Sequence, residues 1–441
     1  MAHPKFLPGV AGARALDATD DLAPLRREFE LPHERGRTLV YLCGHSLGLM
    51  PRTARRAVGA ELDRWAALGV DGHYPDARPP RGRPRPVSAR HGGWLDYHTQ
   101  FAAPLAELAG AYRDEVVAMN TLTVNLHLML ATFFRPTKER YKILIERDAF
   151  SSDRYAVESQ LRWHGLDPRD ALVELGPKPG AFELDRERYD SLLAAEGERI
   201  ALVLLPGVQY LSGERLDLAA YAAAARRHGC AVGFDLAHAI GNVPLALHDS
   251  DADFAVWCSY KYLNSGPGAV GGCFVHRRHG AAAELPRLAG WWGHDRVRRF
   301  LMEPQFTPLA GAEGWQISNP PILSLAPLAA SLALFTAAGF KRLRRKSLAL
   351  TRYLEWQIGR ELAGRVRFLT PADPARRGCQ VAVQFQPAPR NARTFVARLR
   401  SAGLVADWRR PDVLRLAPVP LYNRFRDVYA AVQAVRRTLD A

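Results

Sequence analysis

Lys261 is the residue of this chain best suited to covalent chemistry. The chain contains 53 arginines but only seven lysines, and only Lys261 stands among aromatic residues directly after an apolar run, in Trp-Cys-Ser-Tyr-Lys-Tyr-Leu-Asn. Such surroundings predict a desolvated amine, whose neutral form is available as a nucleophile. The alternative is a surface lysine whose stem packs on apolar side chains while its amine reaches water.

Asp235 favours the chemical interpretation of Lys261. It closes the strand-like segment AVGFD, and ligands of α/β proteins bind at the edge where such strands end. A carboxylate there can pair with a pyridinium nitrogen, and a lysine one strand later can form a Schiff base, which together are a protein's contribution to pyridoxal phosphate chemistry. His238 would lie beside the same ring, or else be a hydrogen-bonded core histidine.

A phosphate group would need a helix N-terminus with free amides and hydroxyls. Residues 119–123 (MNTLT) supply them at the start of the amphipathic segment VNLHLMLATFF, where Thr123 by itself is also a good N-cap. No HExxH, GxSxG or Walker motif is found, and no GxGxxG in a strand–helix context. His276 and His279 are three residues apart without further ligands, so we expect no metal site.

Apolar runs alternate with amphipathic segments from about residue 115 onward, which predicts an α/β fold with a mostly parallel sheet covered on both faces. The predicted strands are 142–146, 200–206, 231–236, 253–263 and 271–275, and the predicted helices include 54–68, 153–164 and 217–228. In the first of these helices Val58, Leu62, Trp65 and Leu68 share one face.

The last third of the chain predicts a smaller α+β domain. After Pro320-Pro321 a helical tract (323–363) precedes segments 380–385, 395–403 and 413–418. We therefore expect a large domain over 61–320, a small domain over 321–441 and an N-terminal segment, 1–60, associated with the small domain. Segment 75–93 is rich in Pro, Arg and Gly and is predicted to be an exposed loop.

Composition narrows the function classes. Of the 441 residues 48% are hydrophobic, and the longest aliphatic stretch, 201–205, is far shorter than the roughly 20 residues of a membrane helix. The net charge of +15 allows a nucleic-acid partner, but the arginines are spread along the chain without a recognition module, so acidic small ligands are favoured. Five cysteines without a CxxC predict buried free thiols and a cytoplasmic location, and no secretory signal is visible.

Several runs together resemble the kynureninase family, the pyridoxal-phosphate hydrolases of tryptophan catabolism. They are YLCGHSLGLMP (41–51), ELDRWAALGVDGHY (61–74), VVAMNTLTVNLHLML (116–130), RPTKERYKILIERDAFSSDRYAVESQ (135–160), GFDLAHAIGNVPL (233–245), WCSYKYLNSGPGAVGG (257–272), GWWGH (290–294), ISNPPIL (317–323) and RLAPVPLYN (415–423). The resemblance implies the type I fold of pyridoxal-phosphate enzymes, with a large, mostly parallel domain and a smaller α+β domain.

The resemblance also implies roles for single residues. Around the cofactor ring, Lys261 resembles the Schiff-base lysine, Asp235 resembles the partner of the pyridine nitrogen, and His238 resembles the neighbour of that partner. Phe150 resembles the aromatic residue that stacks on the ring, and Asp153 the acid near the ring substituents. The phosphate-binding pair corresponds to Leu122 and Thr123, and Tyr260 and Trp291 complete the phosphate pocket. Arg415 resembles the residue that binds the substrate α-carboxylate, and a planar guanidinium suits that bidentate contact. Ser46, His73, Ser318 and Asn319 fall at substrate-binding positions, and Asn319 also at a cofactor-binding one.

The implied reaction is hydrolysis of the Cβ–Cγ bond of kynurenine or 3-hydroxykynurenine to alanine and the anthranilate, in tryptophan catabolism or NAD biosynthesis. A polar set at His73, Ser318 and Asn319 resembles the enzymes that prefer the hydroxylated substrate, because a ring hydroxyl needs a hydrogen-bond partner. Lys261 would remove the Cα proton and Tyr260 would donate a proton later. Family members are homodimers whose active sites take Trp291 and Asn319 from the neighbouring subunit.

Two departures from the family pattern and two rival functions accompany this interpretation. His45 replaces the usual Asn of G-N-S-L-G, and segment 75–93 is longer than the usual connection.

One rival is a cysteine desulfurase, which needs a mobile, exposed cysteine, whereas the candidate Cys379 leads into an alternating strand. The other is a basic nucleic-acid-binding protein without catalysis, against which the presence of Lys261, Asp235 and Thr123 argues.

Overall fold

The computed structural model describes residues 6–74, 93–280 and 284–440. All of the predicted loop 75–93 except Gly93 lies outside these ranges. The described helices are α1 (Gly9–Ala18), α2 (Arg52–Leu68), α3 (Ala102–Ala109), α4 (Leu122–Phe133), α5 (Ser151–Trp163), α6 (Pro168–Ala171), α7 (Arg186–Glu196), α8 (Leu218–Arg227), α9 (Arg277–Gly280), α10 (Ile322–Ala338), α11 (Phe340–Glu361), α12 (Ala392–Ser401) and α13 (Phe425–Asp440).

The described strands form one large sheet, one small sheet and two short pairings. They are β1 (His33–Glu34), β2 (Arg37–Thr38), β3 (Val40–Tyr41), β4 (Val116–Ala118), β5 (Lys142–Glu146), β6 (Leu172–Leu175), β7 (Ile200–Pro206), β8 (Ala231–Asp235), β9 (Phe254–Cys258), β10 (Gly271–Val275), β11 (Val366–Phe368), β12 (Val381–Phe385), β13 (Leu404–Val405), β14 (Asp407–Arg409) and β15 (Val413–Leu416).

The large sheet has seven strands in the order β4-β10-β9-β8-β7-β5-β6. All neighbouring pairs from β9 to β6 are parallel, and only β10 runs against its neighbours. Successive side chains of a strand point to opposite faces, and in β5 Leu144 packs in one core cluster while Ile143 and Ile145 pack in another. Burial on both faces explains why these strands are continuous apolar runs, and it confirms the predicted α/β class.

The small sheet lies in the C-terminal third and is antiparallel, in the order β11-β12-β15-β14. Helices α11, α12 and α13 pack around it in a third core cluster. The N-terminal segment joins this half of the molecule through the parallel pair β3–β13, in which Val40 lies opposite Leu404. The domain limits at residues 60 and 320 stay predictions.

Three local predictions need correction. The helical tract 323–363 is two helices, because Gly339 adopts a φ of 76° between α10 and α11 and bends the pair by 83°. The predicted strand 253–263 ends at Cys258, after which the chain turns. Helix α2 forms as expected, but Leu62 and Trp65 on its apolar face are 43% and 61% exposed in the single chain.

Among the described residues no single helix has the length and apolar composition needed to cross a membrane. Helices α10 and α11 meet that requirement only when they are counted together across their bend.

Candidate active site

The strands of the large sheet bring the predicted cofactor residues to one edge. A cavity of about 120 Å³ lies where β5, β7, β8 and β9 end and α4 and α5 begin. Its lining consists of Leu122, Thr123, Glu146, Phe150, Ser152, Asp153, Pro206, Val208, Tyr210, Asp235, Ala237, His238, Tyr260 and Lys261. This is the edge at which parallel sheets bind ligands.

Lys261 lies in the turn that follows β9, next to the end of β8. Its Nζ is 3.0 Å from His238 Nε2 and 5.8 Å from the centre of the Phe150 ring. Burial lowers the pKa of His238 well below its usual value, and the neighbouring Lys261 lowers it further. The imidazole is therefore neutral at pH 7 and can accept a hydrogen bond from the amine through Nε2.

Three carboxyl groups meet in the cavity, but they do not carry three charges. Asp235 Oδ1 accepts a 2.6 Å hydrogen bond from the Ala237 amide. Burial raises the pKa of Asp153 well above its usual value, and the nearby Asp235 carboxylate adds to the effect. Burial also raises the pKa of Glu146 to about 8. Both shifts favour the neutral, protonated carboxyl, so the cluster carries fewer than three negative charges at pH 7.

The start of α4 also lines the cavity. Thr121, not Thr123, is the N-cap, and its side chain makes no capping hydrogen bond, so the first amides of the helix stay open to a ligand. The structural alternative for Thr123, an N-cap, is therefore wrong: Thr123 lies in the first turn, where its Oγ1 is 2.8 Å from Ser152 Oγ at the start of α5. The hydroxyls of Thr123 and Ser152 and the N-termini of α4 and α5 thus lie together at the cavity.

Arg415 approaches this edge from the small sheet. Its side chain is buried, its Nε donates a 2.7 Å hydrogen bond to Asp407 Oδ2, and its Nη1 donates to the carbonyl of Tyr210, which lines the cavity. A guanidinium with one side held by a carboxylate presents a fixed orientation to the other side.

Six predicted residues do not line the cavity, namely Ser46, His73, Trp291, Ser318, Asn319 and Arg415, and of these Arg415 contacts the lining residue Tyr210. Ser46, Ser318 and Asn319 are exposed, and Trp291 is 42% exposed with its Nε1 bonded to the Arg299 carbonyl. His73 packs edge-on against Trp94. One chain therefore brings together eight of the ten predicted cofactor residues, namely Leu122, Thr123, Phe150, Asp153, Asp235, His238, Tyr260 and Lys261, without Trp291, Asn319 or the predicted ring-binding residues.

Some site residues escaped the sequence analysis. Glu146 ends β5 as Asp235 ends β8, so the same strand-end signal identifies both. Ser152 and Tyr210 gave no such signal. By contrast, Cys379 is completely buried and burial raises its pKa to about 12, so it lacks the exposed thiolate of a desulfurase nucleophile.

A histidine cluster lies outside the cavity. His276 meets Glu115 and His248 rather than His279, within 4.8 Å between potential ligand atoms. The Glu115 carboxylate already accepts hydrogen bonds from His248 Nδ1 and the Arg277 amide. Its oxygens are thus used in a hydrogen-bond network.

Comparison with known proteins gives the family from sequence and the fold from structure. Residues 343–435 match the model of the kynureninase C-terminal domain. A kynureninase of Xanthomonas campestris pv. campestris is 53% identical over 96% of both chains, and one of Stenotrophomonas maltophilia is 51% identical over 96% of both. The cysteine desulfurase CsdA of Escherichia coli shares the fold, with a TM-score of 0.75 at 19% identity over 95% of this chain and 98% of that one. On the identity to the curated relatives, the chain belongs to the kynureninase family.

Proposed function

We propose that the chain is a pyridoxal-phosphate-dependent kynureninase that hydrolyses the Cβ–Cγ bond of L-kynurenine and prefers 3-hydroxy-L-kynurenine. The products are L-alanine and anthranilate or 3-hydroxyanthranilate, in tryptophan catabolism or NAD biosynthesis. The observation that carries the proposal is the convergence of Lys261, Asp235 and the open N-terminus of α4 on one cavity.

The residues present fit pyridoxal phosphate. The buried atoms Asp153 Oδ1 and His238 Nδ1 have no hydrogen-bond partner among the described residues, as expected of groups that await a ligand. The Thr123 hydroxyl and the open α4 amides suit a phosphate dianion, with Leu122 and Tyr260 beside it. Phe150, which is 42% exposed, can stack on a ring above Lys261.

Each side chain then has a defined task. When bound, the cofactor supplies an electron sink for charge that develops at the substrate Cα. Asp235 keeps the pyridine nitrogen cationic, Lys261 holds the cofactor in the resting enzyme and later removes the Cα proton, and neutral His238 orients the lysine amine. Tyr260 donates a proton in the later steps, and burial, which raises its pKa, keeps its hydroxyl protonated for this task.

The substrate is held at both ends. Arg415 binds the α-carboxylate, Ser46 is a further substrate-binding residue, and His73, Ser318 and Asn319 bind the aromatic ring, where a hydroxyl on the substrate finds polar partners. We infer that Trp291, Ser318 and Asn319 act in the site of a neighbouring subunit of a homodimer. Their exposure in the single chain supports this, as do the exposed apolar side chains of Trp65, Val70, Val297, Leu301 and Met302.

The decisive experiment is a pair of parallel assays of the cofactor-loaded protein with kynurenine and 3-hydroxykynurenine, following alanine and the aromatic product. Faster turnover of the hydroxylated substrate supports the reaction and the preference, and faster turnover of kynurenine removes the preference alone. No product from either substrate refutes the activity.

A Lys261→Ala variant tests the proposed nucleophile. It should lose turnover and the visible absorption of the lysine-bound cofactor. Lys178→Ala is the matched control, because this lysine is exposed and paired with Asp185 and Glu187 at the surface. Turnover retained in Lys261→Ala would contradict the assignment.

A further inference from the structure

Residues 40–48 connect β13 and the end of β15, where the Ala417 amide donates to the Leu42 carbonyl, to the turn that carries Lys261. At one end, Val40 and Leu42 donate backbone hydrogen bonds to the carbonyls of Gly403 and Val405 next to β13. At the other end, the Gly48 amide donates a 2.8 Å hydrogen bond to the Tyr260 carbonyl. The segment thus ties the Arg415 half of the site to the Lys261 half.

His45 lies in the middle of this segment and is buried. Its side chain is 1% exposed, and neither ring nitrogen has a hydrogen-bond partner among the described residues. Its Nε2 is 4.0 Å from Asp407 Oδ2, and its ring centre is 6.4 Å from that of His238. A buried polar ring in this position needs a reason, because burial without partners costs free energy.

Asp407 relates His45 to Arg415. The oxygen nearest to His45, Oδ2, accepts hydrogen bonds from Arg415 Nε at 2.7 Å and Arg409 Nε at 3.0 Å. Burial acts to raise the pKa of Asp407, but His45 and Arg415 outweigh it and hold that pKa well below the usual value. Asp407 is therefore an anion that fixes one side of the Arg415 guanidinium.

We propose that His45 is a positioning residue that, through Asp407, holds the Arg415 guanidinium in the orientation that binds the substrate α-carboxylate. The inference rests on the proposed role of Arg415. The buried imidazole occupies the space beside Asp407, with its Nε2 4.0 Å from the same oxygen, Oδ2, that Arg415 Nε binds. Without the imidazole, the side chains of Asp407 and Arg415 gain conformational freedom, and substrate binding must then pay the entropy of ordering them.

The charges around His45 require that it act as a neutral ring. The titratable groups that face it are Asp407, Arg409 and Arg415 from the small sheet, Lys261 and His238 from the large sheet, and Cys43 from its own segment. Burial lowers the pKa of His45 to about 4, Arg415 lowers it further and Asp407 opposes this. A cationic ring would compete with Arg415 for Asp407, and the neutral ring does not.

A cation between Cys43, His45 and Asp407 is a weaker interpretation of the same atoms. Their potential ligand atoms lie within 4.8 Å of one another. However, two guanidinium groups already bind Asp407 Oδ2, and burial raises the pKa of the Cys43 thiol to about 11, so the thiolate that a metal requires is not formed.

The test measures KM and kcat of the holoenzyme for kynurenine, and the inhibition constant of the decarboxylated amine of kynurenine, which lacks the α-carboxylate. His45→Ala should raise KM about five- to tenfold, the size expected when one polar contact between Arg415 and the substrate is weakened, with kcat within about twofold. His45→Asn introduces the usual family residue, which keeps an N–H donor, so its KM should lie between those of the wild type and His45→Ala. Inhibition by the amine should not change, because it makes no contact with Arg415.

Controls separate this inference from its premise. Arg415→Lys must raise KM for kynurenine without changing the inhibition constant of the amine. If it does not, the proposed role of Arg415 in binding the α-carboxylate is refuted. If it does and His45→Ala leaves KM unchanged or lowers only kcat, the positioning role of His45 alone is refuted. His98→Asn removes another buried histidine, 3.5 Å from Glu313, and should leave KM unchanged. A wild-type KM that varies between pH 6 and 8, with the variation absent in His45→Asn, would show a charged His45 and overturn the neutral-ring argument.

Discussion

Replacement of Gly48 by alanine should damage catalysis more than its one methyl group suggests. A Cβ at this position would lie 2.3 Å from the Lys261 carbonyl oxygen, 2.4 Å from Asn264 Oδ1 and 2.8 Å from Asn264 Cα. Two of these atoms belong to the backbone, so rotation of a side chain cannot relieve the contacts.

The size of the effect follows from these distances. Ordinary contacts of a Cβ begin near 3.4 Å, so residues 48 and 261 must separate by about 1 Å. Overpacking of this kind costs about 1–3 kcal/mol of stability. A displacement of about 1 Å of a reacting group can lower the rate about 100-fold. The backbone that must yield is that of Lys261, so we expect kcat to fall together with thermal stability.

The assay compares kcat at saturating kynurenine and the thermal unfolding of Gly48→Ala with those of Gly59→Ala. Gly59 lies within α2, where an added Cβ meets nothing within 4 Å, so its replacement should stabilise the helix by about 0.5–1 kcal/mol without a change in kcat. Wild-type kcat and wild-type stability in Gly48→Ala would refute the reasoning. Lost stability with wild-type kcat would show that residues 40–48 yield and the Lys261 turn does not.

Three further outcomes are expected. Because burial raises the pKa of Glu146 to about 8, Glu146→Gln should retain kcat at pH 7 within about threefold and weaken the change of kcat above pH 8; a tenfold loss at pH 7 contradicts this. Burial acts to raise the pKa of Asp253, but hydrogen bonds from His279 and Arg278 outweigh it and lower that pKa overall. The ionised carboxylate of Asp253 therefore stabilises the fold above the unfolded pKa of about 3.9, and this contribution is lost as pH falls through the folded pKa. Asp253→Asn should therefore lower the free energy of unfolding in urea by about 1–3 kcal/mol at pH 7 and by less well below the unfolded pKa of about 3.9, whereas equal losses at both pH values would exclude this linkage. Asn319→Ala should lower kcat/KM about tenfold more for 3-hydroxykynurenine than for kynurenine, and equal losses would remove the specificity argument.

The elements that carry the cofactor pocket were accessible from the sequence. The strands 142–146, 200–206 and 271–275 agree with the structure residue for residue, because burial on both faces leaves an unbroken apolar run. Asp235 was located by the strand that it ends. The same rule identifies Glu146, but a protonated carboxyl has no signature in sequence because its pKa depends on the surrounding burial.

Local pattern was less informative where two neighbouring residues compete for one role. Thr121 and Thr123 are equivalent as helix caps by residue type, and only the backbone, with Thr121 at φ −116° and ψ 166°, selects the first. The helical tract after Pro321 likewise continues through Gly339 in its pattern, although the chain bends there.

The sequence by itself determined the α/β class, the strand order along the chain and the types of the reactive groups, because these follow from short-range periodicity and from the residues at strand ends. Only the tertiary structure decided what lies beside what. His45, Asp407 and Arg415 meet although His45 is some 360 residues from the other two, and their protonation and orientation arise from burial and pairing that no local segment contains. Ser318 and Asn319 are exposed in the single chain, and in our proposal the residues that complete their site belong to a second chain. Their environment is therefore decided by quaternary structure, which no local segment of sequence contains.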